Sequence, residues 1–231
     1  MPYILSIDTA TEICSVALSK GTEQVAFRES AEGRSHAKVL LPFIEETLQE
    51  ANVQPSQLQA VAVSMGPGSY TGLRIGVSTA KGLCYSLGIP FIAVPTLQVM
   101  AAGACPSLAQ HPDALLCPML DARRMEVFTA LYDSALREVR PFSAQIIDEN
   151  SFVDVLGEKK VVFCGNGMEK CKELLSKNAN ALFDDTPISA RNMREIALQK
   201  FENQQFEDVA YCEPMYGKEY VAAKPNVKGL H

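Results

Sequence analysis

Two periods of apolar residues organise this chain. Three strand-length runs open it: YILSID (3–8), CSVALS (14–19) and QVAFRE (24–29). SKGTE, between the second and third, is a hairpin turn. The period then lengthens. His36, Val39, Leu40, Phe43, Ile44, Thr47, Leu48 and Ala51 recur at steps of three and four, the stripe of an amphipathic helix. LQAVAVSM (58–65) reads as a buried strand. A helix over 71–87 stops at Gly88 with Pro90 beyond it, PFIAV (90–94) is a strand, and 96–104 is a short helix.

The order βββ-α-β-α then restarts. LLCPMLD (115–121) and MEVFTALY (125–132) are strands around a tight DARR turn. FSAQIID (142–148) is a third strand, KVVFCG (160–165) a fourth, and 167–177 a helix. A last helix spans 190–203, with Ser189 as N-cap and Ile188 and Met193 as a hydrophobic staple. DTATEICSVAL from Asp8 and DARRMEVFTAL from Asp121 both end a strand in aspartate, turn, and finish a second strand in Ala-Leu. Duplicated halves with a cleft between them follow. Residues 1–104 are the first lobe. Residues 105–216 are a smaller second lobe whose 190–203 helix packs back on the first, and 217–231 are a mobile polar tail.

Composition narrows the class. With 231 residues, 47% hydrophobic and 21% charged, the chain is an ordinary globular α/β protein. A net charge of −6 argues against a protein that holds nucleic acid by itself, since phosphate contacts need a concentrated basic surface. Seven irregularly spaced cysteines without C-x-x-C form neither a disulfide framework nor a zinc knuckle. The N-terminus lacks a basic region before its apolar run, and no apolar run reaches membrane-spanning length, so the cytoplasm is expected.

Three groups carry candidate chemistry. Asp8 opens into a turn with Thr9 and Thr11; it either caps that turn or holds a magnesium-bound water beside a phosphate, with Asp121 facing it. MGPGSYTGLRIG (65–76) brings Gly66, Gly68 and Ser69 to the start of a helix, where N–H groups bind anions. It is neither a Walker loop, lacking the lysine, nor G-x-G-x-x-G. Its other use is packing, because Gly72, Gly76 and Ala80 make a small-residue stripe, with Val77 beside it, that lets another helix approach. His36 has no histidine four residues on, Leu40 standing there, so no metal site is expected. CGNG (164–167) is a strand-to-helix turn that either approaches a nucleoside or only turns the chain.

ILSIDTATEICSVAL, SHAKVLLPFIEETL, GPGSYTGLRIGVSTAKGL, IPFIAVPTL and LDARRMEVFTALY together resemble the bacterial TsaB family, also called YeaZ. The resemblance covers the first 135 or so residues densely, and CGNG and EPMYGKEY extend it. It implies the fold of the actin-like ATPase and sugar-kinase superfamily. It also implies a non-catalytic subunit of the assembly that makes N6-threonylcarbamoyladenosine beside the anticodon of tRNAs reading codons that begin with adenine. The implied partners are the paralogous catalytic subunit TsaD and, through it, the ATPase TsaE, with a homodimer when TsaD is absent and tRNA met only through the complex. No resident cofactor is expected; ATP or ADP at the TsaD junction is compatible with the loop. The partner surface expected on the two long helices is His36, Val39, Phe43, Gly72, Leu73, Gly76, Val77 and Ala80, with Leu40, Ile44, Leu48 and Ala51 inward. Alanine in DTAT and DAR, where a kinase-type phosphate turn prefers glycine, agrees with lost catalysis. The alternative is a stand-alone ATP-dependent kinase or carbamoyl transferase of the same fold.

Overall fold

A computed structural model of the chain describes residues 1–33 and 35–217; the tail expected at 217–231 lies outside them but for Gly217. The first half runs β1 (Tyr3–Asp8), β2 (Cys14–Lys20), β3 (Glu23–Ser30), α1 (His36–Glu50), β4 (Ala60–Ser64), α2 (Tyr70–Leu87), β5 (Phe91–Val94) and α3 (Thr96–Ala104). The second runs β6 (Leu115–Asp121), β7 (Glu126–Tyr132), β8 (Glu138–Ile146), α4 (Val153–Leu156), β9 (Val161–Cys164), α5 (Lys172–Leu175), β10 (Ala181–Asp184) and α6 (Arg194–Glu202). Each half makes one five-stranded sheet, ordered β3-β2-β1-β4-β5 and β8-β7-β6-β9-β10. In each, three antiparallel strands are extended by two parallel ones. The duplication is therefore carried by topology. Asp8 and Asp121 are the last residues of the matching strands β1 and β6.

Pleating sends alternate residues to opposite faces. Leu5, Ile7, Val61 and Val63 face α1 and α2, packing with Leu40, Ile44, Leu48 and Val77. Ile4, Ala60 and Ala62 face the other way, into a central cluster with Leu97 and Met100 of α3, Ile196 and Ala197 of α6, and Leu116, Leu120 and Val162 of the second sheet. Each fully buried aliphatic side chain contributes about 2 kcal/mol. A third cluster, around Cys117, Met119 and Phe163, lies beyond the second sheet. The two sheets thus share one core through α3 and α6. The segment leading into α6 is tied to the first sheet: Ser189 Oγ donates to Glu29 Oε2 at 2.7 Å and the Ala190 N–H to Ser15 Oγ at 2.8 Å. The Arg191 guanidinium lies 3.9 Å from the Phe27 ring centroid.

Three second-half elements differ from the sequence expectation. The strand expected at 142–148 is β8, starting at Glu138 with Pro141 inside it. Proline is tolerated there because β8 is an edge strand. The helix expected over 167–177 is a 3-10 turn, Glu169–Cys171, followed by one turn of α5. The helix expected from 190 begins as a 3-10 turn, Ala190–Met193. Ser189 does not cap it, because its hydroxyl is engaged by Glu29. Ile188 and Met193 both lie in the central core. All seven cysteines are free thiols.

Candidate functional site

The turn ends of the two sheets border an open cleft of about 1050 Å³. Its walls come from four places: the β1–β2 turn (Ala10, Thr11, Glu12), the start of α1 (His36), the start of α2 (Gly68 to Gly72, then Ile75), and the β6–β7 turn (Asp121 to Arg123). Leu120, Phe128, Asn166 and Tyr216 also line it.

The structure separates the two aspartates that the sequence pairs. Asp8 shares the pleat face of Ile4 and Ser6, is 0% exposed, and is absent from the cleft wall. Ser64 Oγ donates to its Oδ2, and the Ala10 N–H donates to its Oδ1 at 3.3 Å. Burial pushes its carboxyl up to about 6; the Ser64 hydroxyl and Ala10 amide hold it back, and the Glu29 charge adds to the rise. A carboxylate sealed this way is not placed to orient a metal-bound water. Asp121 is exposed in the wall. Lys170 Nζ donates to its Oδ1, as does the Arg123 N–H at 3.0 Å, and its own N–H donates to Asn166 Oδ1 at 3.0 Å. Partial burial raises the Asp121 carboxyl, but the Lys170 and Arg123 contacts outweigh it and leave it below the ordinary value. Among the described residues, no group of three His, Cys, Asp or Glu is placed to hold a metal.

The glycine loop is filled by the chain itself. Gly66 has φ +111° and its N–H donates to Thr96 Oγ1 at 3.1 Å. A Cβ there would strike the Met215 carbonyl, whose own N–H donates to Met65 O at 2.7 Å. Gly68 lies against Ala10, and the Ser69 N–H donates to Ala10 O at 2.7 Å. Ser69 Oγ caps α2 by accepting from the Gly72 N–H at 3.2 Å. Thr9, which the sequence places beside a phosphate, is buried and turned into α2: its hydroxyl donates to Gly72 O at 2.8 Å. Thr11 Oγ1 accepts from the Ile13 N–H at 3.2 Å and remains in the cleft wall.

The small-residue stripe is likewise internal. A Cβ on Gly72 or Gly76 would collide with Thr9. Leu73, Val77 and Ala80 are buried in the chain's own core. These five do not form a surface, because the stripe serves the approach of α2 to the β1–β2 turn. His36 is also buried, while Val39 and Phe43 are half-buried beside the α1–α2 core. Leu40, Ile44 and Leu48 are inward as expected, and Ala51 is half-buried at the helix end. The large apolar side chains that the two helices leave outside are Leu41, 56% exposed, Tyr70, 44% exposed, and Tyr85, 85% exposed. No period marks these positions, since an isolated apolar residue on a polar helix face has no partner in the pattern. The reach of Tyr216 and Arg123 into the cleft was equally unmarked, as both depend on segments distant in the chain. Among the described residues no helix is long and apolar enough to cross a membrane.

Comparison with known proteins places these features. The family model for TsaD, tRNA N6-adenosine threonylcarbamoyltransferase, matches residues 29–216. The tRNA threonylcarbamoyladenosine biosynthesis protein TsaB of Bacillus subtilis is 33% identical over 177 residues, 74% of each chain. That of Escherichia coli is 32% identical over 231 residues, 96% of each chain. The solved structure of YeaZ from Pseudomonas aeruginosa superposes with a TM-score of 0.80 at 25% identity, covering 94% of this chain and all of that one. The paired five-stranded sheets thus share the fold of that YeaZ structure.

Proposed function

The chain belongs to the TsaB family of tRNA threonylcarbamoyladenosine biosynthesis proteins, and from that premise we propose that it is the non-catalytic subunit of the threonylcarbamoyl-transferring assembly. In this reading it works in the cytoplasm as scaffold and activator of the paralogous catalytic subunit TsaD, meets TsaE and tRNA through that complex, and pairs with itself when TsaD is absent. ATP or ADP, where present, sits at the junction with TsaD.

The observation that carries this reading is the filling of the glycine loop. Met215 and Ala10 fill the space at Gly66 and Gly68 that a kinase would keep for phosphate, Thr9 packs against Gly72 and Gly76, and Asp8 is buried. The same packing weakens the alternative of a stand-alone kinase or carbamoyl transferase. The partner surface is accordingly redrawn to the exposed positions of α1 and α2, Leu41 and Tyr85 among them.

The test is to mix the chain with TsaD of its own organism and measure association, alongside ATP turnover by the chain alone with magnesium. A complex is expected, with no turnover in isolation. Leu41→Asp combined with Tyr85→Asp weakens assembly by about 2 kcal/mol or more without lowering the melting temperature of the free chain. Unchanged binding by that variant moves the interface elsewhere, and magnesium-dependent turnover by the chain alone supports the kinase alternative.

A further inference from the structure

The C-terminal stretch of the described residues, 207–217, lies across the molecule as a strap. It starts on the edge strand β5, where the Glu207 N–H donates to Phe91 O at 3.0 Å. It passes along α2 to the glycine loop, where the Met215 N–H donates to Met65 O at 2.7 Å. The Tyr216 ring then lies 4.7 Å, centroid to centroid, from that of Tyr70 at the start of α2. Gly217 reaches the other lobe, where a Cβ on it would come within 2.9 Å of the Phe128 ring in β7. The seat is shallow. No residue of the strap is buried, and Tyr211 is 84% and Met215 41% exposed. Between Cys212, Glu213 and Pro214 on one side and Arg74, Ser78 and Lys81 of α2 on the other, a groove of about 350 Å³ stays open. A segment that buries no side chain fully opens locally, at a fraction of the free energy of global unfolding.

We propose that 207–217 is a displaceable strap: seated, it covers the side of α2 between Tyr70 and Lys81; released, it bares that side to a partner chain. The coupling to a partner rests on the reading of α1 and α2 as the surface that meets TsaD. A chain docked on α2 between Tyr70 and Lys81 needs the space that Cys212, Pro214 and Tyr216 hold, so docking and seating exclude each other. Such competition is reciprocal. The free energy of seating is subtracted from docking, and a docked partner shifts the strap to its released state by the same amount. The exposed Tyr211 and Met215 side chains fit a segment that gives up its seat, since neither holds it in place. Release leaves the glycine loop filled at its other positions, because Ala10 stays against Gly68 and Thr9 against Gly72 and Gly76.

Amide hydrogen exchange, read by NMR on the whole chain, tests the seat directly. The Met215 amide should exchange roughly a hundredfold faster than the amides of β1 and β4, and faster still once TsaD of the same organism is bound. Two variants then test the coupling. Met215→Pro removes the donor to Met65, Tyr216→Ser removes the ring against Tyr70, and both positions lie outside the buried core. Each should tighten TsaD binding about fivefold, the equivalent of one hydrogen bond that docking no longer has to break. A Met215 amide that exchanges at the rate of β1, or that gains protection when TsaD binds, overturns the strap. Unchanged or weaker TsaD binding by both variants overturns it as well. Failure of the unaltered chain to bind TsaD sinks the partner reading instead, and the strap is then decided by Met215 exchange in the chain alone: fast exchange supports it and exchange at the rate of β1 overturns it.

Discussion

Asp8 and Asp121 end equivalent strands of equivalent sheets, yet they have become opposite groups. The first is sealed, hydrogen-bonded by Ser64 and raised to about 6. The second is exposed, faces Lys170 and Arg123, and titrates below its ordinary value. The cause lies in what covers each turn. In the first lobe α2 begins directly against the β1–β2 turn, and Gly72 and Gly76 let it come close enough to bury Thr9. In the second lobe the segment after β9 holds only a 3-10 turn and the four residues of α5, too little to cover the β6–β7 turn. Duplicated topology therefore does not preserve duplicated chemistry; the length and closeness of one helix decides which aspartate meets solvent.

The most severe way to break the comparison is to unseal the first turn. Gly72→Ala drives a methyl into the Thr9 carbonyl and should cost about 3 kcal/mol in urea unfolding, since overpacking against backbone leaves little room to relax. Gly82→Ala, in the same helix with nothing within 4 Å, should instead stabilise by about 0.5–1 kcal/mol. Equal effects at the two positions would mean that the close approach of α2 is not what seals the turn.

A smaller effect tests the charge of the sealed aspartate. Because folding raises the Asp8 pKa, its contribution to stability is full below the unfolded value near 3.8 and is lost as pH rises through about 6. Asp8→Asn keeps an acceptor for Ala10 and removes the charge. It should therefore stabilise the protein by about 2 kcal/mol at pH 7.5 and hardly at all at pH 4, read by denaturant midpoints at both values. A stabilisation independent of pH would show that Asp8 is not a buried carboxylate at neutral pH.

The smallest expected effect has the opposite sign with pH. The lowered Asp121 pKa adds stability above its unfolded value and loses it as pH falls through the folded one. The group is nearly half exposed, so Asp121→Asn should cost at most about 0.5 kcal/mol at pH 7, less in high salt, and nothing in strong acid. A larger, salt-insensitive loss would place Asp121 in a buried network resembling that of Asp8.

Local patterns in the chain were enough to establish most elements of the first half, the restart near residue 115, and the inward stripe of Leu40, Ile44 and Leu48. Those features rest on periods of 2 and 3.6 and on turn residues, which act between near neighbours. Short pieces were not legible: α4 and β10 are four residues each, below the length at which a period can be counted. The site was legible only as a set of residue types. That Asp8 is sealed, that Gly72 and Gly76 accommodate Thr9 in place of a partner, and that His36, the start of α2 and Arg123 border one cleft were decided by tertiary packing. Solvent exposure and hydrogen-bond partners are set by what arrives from dozens of residues away, as Met215 does at Gly66, and no local pattern encodes that arrival.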